Sequence, residues 1–241
     1  MNQYADIFQH MGERAKLASQ ELIQLTEEQK NKILLAIAAR LEEHTEEILA
    51  VNELDMKDAV INQIPTIMLD RLKLTTERIQ QIAEGVRQVV DLEDPVGRVL
   101  DVIERPNGLH IEKRCVPLGV IAIIFEARPN VTVDASVLCF KTGNATILRG
   151  GKEAFRTNQC VVKVIRDAIA ENGVNPDAIQ LVEVLDREAV GTLLSLRDYI
   201  DVVIPRGGAG LIHRVVQDSA IPVIETGSGI CHTFVDETAD L

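Results

Sequence analysis

The chain has 241 residues, 46% of them hydrophobic, and 37 acidic side chains against 25 basic ones, a formal net charge of -12. That length supplies a core for one large domain or two, while the acidic balance argues against a general nucleic-acid or anionic-membrane surface. Any phosphate site has to be built from local cations and backbone N–H groups.

Residues 1 to about 94 read as helices. Tyr4, Ile7, Phe8, Met11 and Ala15 keep one helical face. Thr26-x-x-Gln29 is a capping box ahead of Ile33, Leu34, Ile37, Ala38 and Leu41. A third helix is expected from about Thr45 towards Ile61, then a short helix after Pro65 and a stripe of Ile79, Ile82, Ala83, Val86 and Val90. Methionine and isoleucine stripes of this kind read as core rather than cofactor contacts.

The period changes after Asp94-Pro95-Val96-Gly97. Val99, Asp101 and Ile103, then Leu109, Ile111 and Lys113, alternate around Asn107-Gly108, a strong hairpin turn signal. An isolated two-stranded ribbon is marginal in water, so this hairpin is expected to lie against another sheet or another subunit.

From Val116 onward strands and helices alternate, which predicts a doubly wound parallel sheet. Strands are expected at 118–125, 145–148, 179–184, 200–204 and 222–224, with helices at about 131–142, 152–172, 187–196 and 209–218. The run from Val120 to Glu126 holds one polar side chain, its last, and reads as a central strand buried on both faces. Ligands of such sheets bind outside the carboxyl ends of the strands, here at Phe125 to Asn130. The plainer alternative is a strand end with Asn130 as a helix cap.

Two glycine-rich points are decoys. Arg149-Gly150-Gly151-Lys152-Glu153 lacks the first glycine and the hydroxyl of a P-loop, and Gly227-Ser228-Gly229-Ile230-Cys231-His232 has a histidine where G-x-G-x-x-G needs its last glycine. What survives is the pair Arg149 and Lys152 where a strand gives way to a helix, suited to a ribose or its 2'-phosphate, and Arg206-Gly207-Gly208 at a second helix start. Either could be an ordinary turn with a solvated charge. Glu225, ending an apolar strand, is the best acid candidate for general-base work. The four cysteines lack C-x-x-C pairing and read as separate reduced thiols; no metal site is expected. With no signal peptide and no run near the ~20 apolar residues of a spanning helix, a soluble cytoplasmic protein without a membrane partner is expected.

Four runs together resemble the gamma-glutamyl phosphate reductase family of the aldehyde dehydrogenase superfamily. They are Val-Pro-Leu-Gly-Val-Ile-Ala-Ile-Ile-Phe-Glu-Ala-Arg-Pro-Asn (116–130), Lys-Thr-Gly-Asn-Ala-Thr-Ile-Leu-Arg-Gly-Gly-Lys-Glu-Ala (141–154), Pro-Arg-Gly-Gly-Ala-Gly-Leu-Ile (205–212) and Val-Ile-Glu-Thr-Gly-Ser-Gly-Ile-Cys-His (223–232). The resemblance implies an aldehyde-dehydrogenase-like α/β fold: a Rossmann-like doubly wound parallel sheet with an N-terminal helical region and a protruding β-hairpin. It divides the chain into a helical part of the cofactor domain (1–97), a hairpin oligomerisation arm (98–114) and an NADP-binding α/β region (115–241).

It further implies reduction of L-glutamyl 5-phosphate by NADPH to L-glutamate 5-semialdehyde, with release of phosphate, through a cysteine thioester and in a homo-oligomer. Arg149, Gly150, Gly151 and Lys152 would lie at the adenosine ribose and 2'-phosphate, and Arg206, Gly207 and Gly208 at the pyrophosphate. Lys152, where many relatives carry an acid, would favour NADP over NAD. Arg128 and Asn130 would face the substrate. The oxyanion-donating asparagine falls at Ala127, which leaves backbone N–H groups or Arg128 for that task. Glu225 matches a general base of hydrolytic members. The family's nucleophilic cysteine lies downstream of the Glu225 segment, and Cys231 follows that segment too closely to face it. The chain is therefore expected to be the N-terminal part of such a reductase, inactive alone. The alternative is a non-catalytic nucleotide-binding or interaction module of the same fold.

Overall fold

The computed structural model describes residues 4–227 and 232–239. Five helices come first: α1 (Ala5–Leu22), α2 (Glu27–Glu43), α3 (Thr45–Ile61), α4 (Thr66–Leu72) and α5 (Thr76–Asp91). The capping box at α2 is complete, with the Gln29 N–H donating to Thr26 Oγ1 at 3.2 Å and the Thr26 N–H to Gln29 Oε1 at 2.9 Å, so two otherwise orphaned donors are satisfied. Phe8, Met11 and Ala15 of α1 are buried, as their spacing predicts, but Ile7 is 52% exposed and lies off that face. Two buried lysines tie the helices to one another and to the sheet region. Lys30 pairs with Asp94, and Lys141 reaches Glu27 Oε1, Asn31 Oδ1 and the Val90 carbonyl. Their ammonium groups are thereby compensated rather than left as bare buried charges.

The hairpin forms as β1 (Val99–Glu104) and β2 (His110–Arg114), antiparallel, with Gly108 at φ +84° in the turn. It is a sheet of its own and every strand residue is exposed. Nothing among the described residues covers either face.

The main sheet holds β3 (Val120–Phe125), β4 (Ala145–Arg149), β5 (Ile179–Leu181) and β6 (Val202–Arg206), all parallel, in the order β5-β4-β3-β6. Its helices are α6 (Pro129–Lys141), α7 (Phe155–Glu171), α8 (Arg187–Leu194) and α9 (Ala209–Asp218), with 3-10 turns at Lys152–Ala154 and Pro176–Ala178. All six residues of β3 are buried. The chain builds outward from β3 to β4 and β5, then crosses back to place β6 on the other side. The crevice at the carboxyl ends of β3 and β6 is thus the switch point of a doubly wound sheet. Residues of α1, α2, α3 and α5 share one core with the strands. Among the described residues no helix is long and apolar enough to cross a membrane.

Several expectations change. The strand expected at 179–184 is only three residues long, Ile179–Leu181. The helix after β3 begins at Pro129 with Arg128 in the cap position, because proline's fixed φ suits a first helical residue. Asn130 therefore lies inside the first turn and does not cap it. β6 runs on through Pro205 and Arg206, which pair with Ile124 and Phe125. The expected strand at 222–224 is reduced to a single bridge, Val223 to Val203.

Candidate functional site

Two clefts run along the carboxyl edge of the sheet and share Phe125, Glu126 and Ala127 at the end of β3, together with Met68 from α4. The first, of about 510 Å³, lies at the switch point and is lined by Arg128, Arg206, Gly207 and Gly208 among others. The second, of about 460 Å³, runs towards α8 and α9 and is lined by Arg149, Gly151 and Lys152. They form one groove over β3, β4 and β6.

Three of the glycines bring the backbone close to neighbouring side chains. A Cβ on Gly207 would lie 2.8 Å from Glu126 Cδ, and one on Gly151 would lie 2.7 Å from Glu153 Oε2 and 3.3 Å from the Ala127 nitrogen. Gly150 faces inward: its Cβ would strike Asn158 Nδ2 at 2.4 Å, and Asn158 is held by a 2.8 Å hydrogen bond from Thr132 Oγ1. In contrast, nothing lies within 4 Å of a Cβ built on Gly191 or Gly210, both of which line the second cleft with Val190, Leu194, Leu211 and Val215. This end of the cleft is a largely aliphatic slot, with Arg214 and Asp218 also lining it, a mix of apolar walls and a few polar groups typical of ligand pockets.

Charge is placed at both ends of this groove. Gly208 is the residue before α9, and its N–H donates to Glu126 Oε1 at 3.1 Å. A carboxylate thus satisfies a helix N-terminus, where backbone donors and the helix dipole favour an anion. Arg149 donates from Nη1 to the Gly150 carbonyl at 2.9 Å and from Nη2 to the Leu185 carbonyl at 3.3 Å, which fixes its guanidinium beside the slot. Lys152 is exposed and opens the 3-10 turn. The N-terminus of α7 just beyond it is already served: Asp55, 2% exposed, accepts from the Thr157 N–H at 2.8 Å and Thr157 Oγ1 at 2.7 Å. An anion beside Arg149 and Lys152 would therefore rely chiefly on their side chains.

The structure brings Arg128, Arg206, Gly207 and Gly208 into one cleft and Arg149, Gly151 and Lys152 into the other. Asn130 lines a separate depression with Arg128, where its Nδ2 donates to Asp134 Oδ2 at 3.1 Å. Glu225 is exposed, lies just past the Val223 bridge and is not among the lining residues, although Thr226 and Gly227 are. Cys231, with Ser228, Gly229 and Ile230, lies outside the described residues. Burial pushes the Cys139 and Cys160 thiols up to about 11, which suppresses the reactive thiolate. No group of three or more metal-binding side chains occurs among the described residues. Met68 and Arg71 of α4 also line the first cleft. Nothing in the local sequence of a seven-residue helix far upstream of β3 marks them, and Glu126 likewise had no assigned role.

The sequence profile of the aldehyde dehydrogenase family matches residues 3–241. Gamma-glutamyl phosphate reductase of Proteus mirabilis is 54% identical over 235 residues, which is 98% of this chain and 56% of that protein. The Moorella thermoacetica protein of the same name is 54% identical over 233 residues, 97% of this chain and 56% of its own length. The crystal structure of gamma-glutamyl phosphate reductase from Thermotoga maritima superposes with a TM-score of 0.91 at 40% identity, covering 97% of this chain and 56% of that one. The Saccharomyces cerevisiae structure gives 0.85 at 33% identity, covering 90% and 55%. The chain spans about half the length of the curated relatives it matches.

Proposed function

The chain belongs to the aldehyde dehydrogenase family, and from that footing we propose that it supplies the NADPH-binding half of a gamma-glutamyl phosphate reductase. The reaction is reduction of L-glutamyl 5-phosphate to L-glutamate 5-semialdehyde with release of phosphate. The observation that carries this reading is the continuous groove at the switch point, with a largely aliphatic slot at one end and a helix N-terminus at the other.

The residues fit a dinucleotide. Val190, Leu194, Leu211 and Val215, with Gly191 and Gly210, would take the base; Arg149 and Lys152 would take the ribose and 2'-phosphate; Gly207, Gly208 and Arg206 would take the pyrophosphate. NADPH supplies the hydride when bound. The protein's own part is to orient: glycines let the ligand approach the backbone, and the cations hold phosphate in a chain whose overall charge opposes it. Arg128 faces the cleft at the end of β3 and is assigned to the substrate, with Asn130 beside it. Glu225 is kept as an acid of the catalytic segment, and the β1-β2 hairpin as the arm that pairs subunits.

Titration of the chain with NADPH, followed by cofactor fluorescence, tests this. Saturable binding weakened by Lys152→Glu is expected; a folded chain that binds no NADPH would overturn the reading. No turnover is expected from these 241 residues alone, since they span only about 56% of the matched reductase's length. Phosphate-dependent reduction of NADP with glutamate semialdehyde, abolished by Cys231→Ser, would contradict that expectation.

A further inference from the structure

Beside the end of β3 the first cleft meets another of about 520 Å³, lined by α4, α5 and α6 residues, and the two share two side chains, Arg71 and Arg128. This third cleft has no lining residue in common with the slot of α8 and α9.

Both guanidiniums are exposed. Among the described residues neither has a carboxylate within 4.0 Å or a side-chain hydrogen bond. Arg78, which lines the same cleft, is the contrast: it is held by Asp70 Oδ1 at 2.8 Å and the Lys73 carbonyl at 2.6 Å. Of the described residues lining the first cleft, Arg71, Arg128 and Arg206 are positive and only Glu126 is negative. Glu126 is itself engaged with the Gly208 N–H. The junction thus carries surplus positive charge in a protein of net charge -12. Two guanidiniums whose donors are unmatched by protein acceptors suit a phosphate dianion, whose oxygens accept their paired N–H groups.

We propose that Arg71 and Arg128 form a phosphate seat, and that it takes the phosphoryl group of the substrate rather than a cofactor phosphate. The identification of that substrate as an acyl phosphate rests on the function proposed above; the seat itself rests on the unpaired arginines. Arg206 and the α9 N-terminus border the cofactor side of the first cleft, while Arg71 and Arg128 border the side leading to Lys73, Asn130 and Asp134. A phosphoryl group held at the junction lies where the acyl carbonyl it is bonded to can face the first cleft.

Calorimetric titration of the chain with inorganic phosphate, alongside fluorescence titration with NADPH, tests the seat in the parent, Arg71→Ala, Arg128→Ala and Arg71→Lys. Each alanine variant should lose phosphate affinity by on the order of tenfold or more, and Arg71→Lys should recover part, since it keeps the charge without the planar fork. NADPH affinity should stay within about twofold, which also shows that the variants fold. Phosphate affinity unchanged in either alanine variant, or undetectable in the parent, would overturn the seat. NADPH weakening in parallel with phosphate would overturn it too, by assigning the pair to the cofactor. Arginine-dependent phosphate binding in a parent that binds no NADPH would support the seat and count against the functional reading.

Discussion

The Glu126 carboxylate accepts a 3.1 Å hydrogen bond from the Gly208 N–H, joining the carboxyl end of β3 to the first turn of α9. Gly207 has no side chain in the way: a Cβ there would meet Glu126 Cδ, Cγ and Oε1 at 2.8 to 2.9 Å. An acid therefore sits where a dinucleotide phosphate would make the same hydrogen bond. Seating a pyrophosphate at Gly208 requires that carboxylate to turn away.

Glu126→Gln should tighten NADPH binding. The amide oxygen still accepts from Gly208, but the like charge is gone, and a single charge at a helix end is worth about 0.3–1 kcal/mol, or roughly twofold to fivefold in Kd. Fluorescence titration at low ionic strength measures it. Weaker binding would make Glu126 a ligand contact instead.

Lys152→Glu should weaken NADPH much more than NADH. It reverses an exposed charge beside Arg149, so NADPH should weaken relative to NADH by about 1–3 kcal/mol for a lost charge-assisted contact. The two cofactors share every other group, so their affinity ratio cancels general effects of misfolding. A ratio equal to the parent's would place Lys152 outside the 2'-phosphate site.

The hairpin exposes Val99, Leu100, Val102, Ile103, Leu109 and Ile111, each between 39% and 53%. An uncovered ribbon with such residues on both strands is a template for pairing. Sedimentation should find the parent associated and a deletion of residues 98–114 dissociated. If both sediment alike, the arm has no part in association.

Gly119→Ala should destabilise the fold at the site's root. Gly119 lies at φ +117°, and a Cβ there would come within 2.2 Å of Asp201 Oδ2, the atom that accepts the Val120 N–H at 2.8 Å and pairs with Lys16. Backbone strain alone is worth about 1–3 kcal/mol, and the displaced carboxylate adds to it. A urea midpoint shifted downward is expected; an unchanged one would show that the β3 entrance can relax.

Cys139 gives a pH dependence of known sign. It is 7% exposed, and burial pushes its thiol from an ordinary 9.0 to about 11. Between those values the unfolded chain has lost a proton that the folded chain keeps, so stability is full below pH 9 and falls as pH rises towards 11. The fall reaches about 2–3 kcal/mol. Urea unfolding at pH 8 and pH 10.5 should show a smaller drop for Cys139→Ala than for the parent.

Local patterns were enough for most elements. Thr26 and Gln29 specify a helix start within four residues, Asn107-Gly108 a turn within two, and the apolar run ending at Phe125 a buried strand, because capping, turn chemistry and burial are each decided by near neighbours. The same holds for family membership, carried by runs around Arg128, Arg149 and Arg206. What neighbours could not decide was convergence. Arg149 and Lys152 meet the slot of α8 and α9 only because β4 lies beside β3. Glu126 reaches Gly208 only because the crossover places β6 on β3's other edge. Met68 and Arg71 enter the clefts only because a short helix from the N-terminal region packs across the strand ends. Strand order and helix packing are set by burial of one shared core, a property of the whole chain, and so tertiary structure alone determined which charged groups share a cleft.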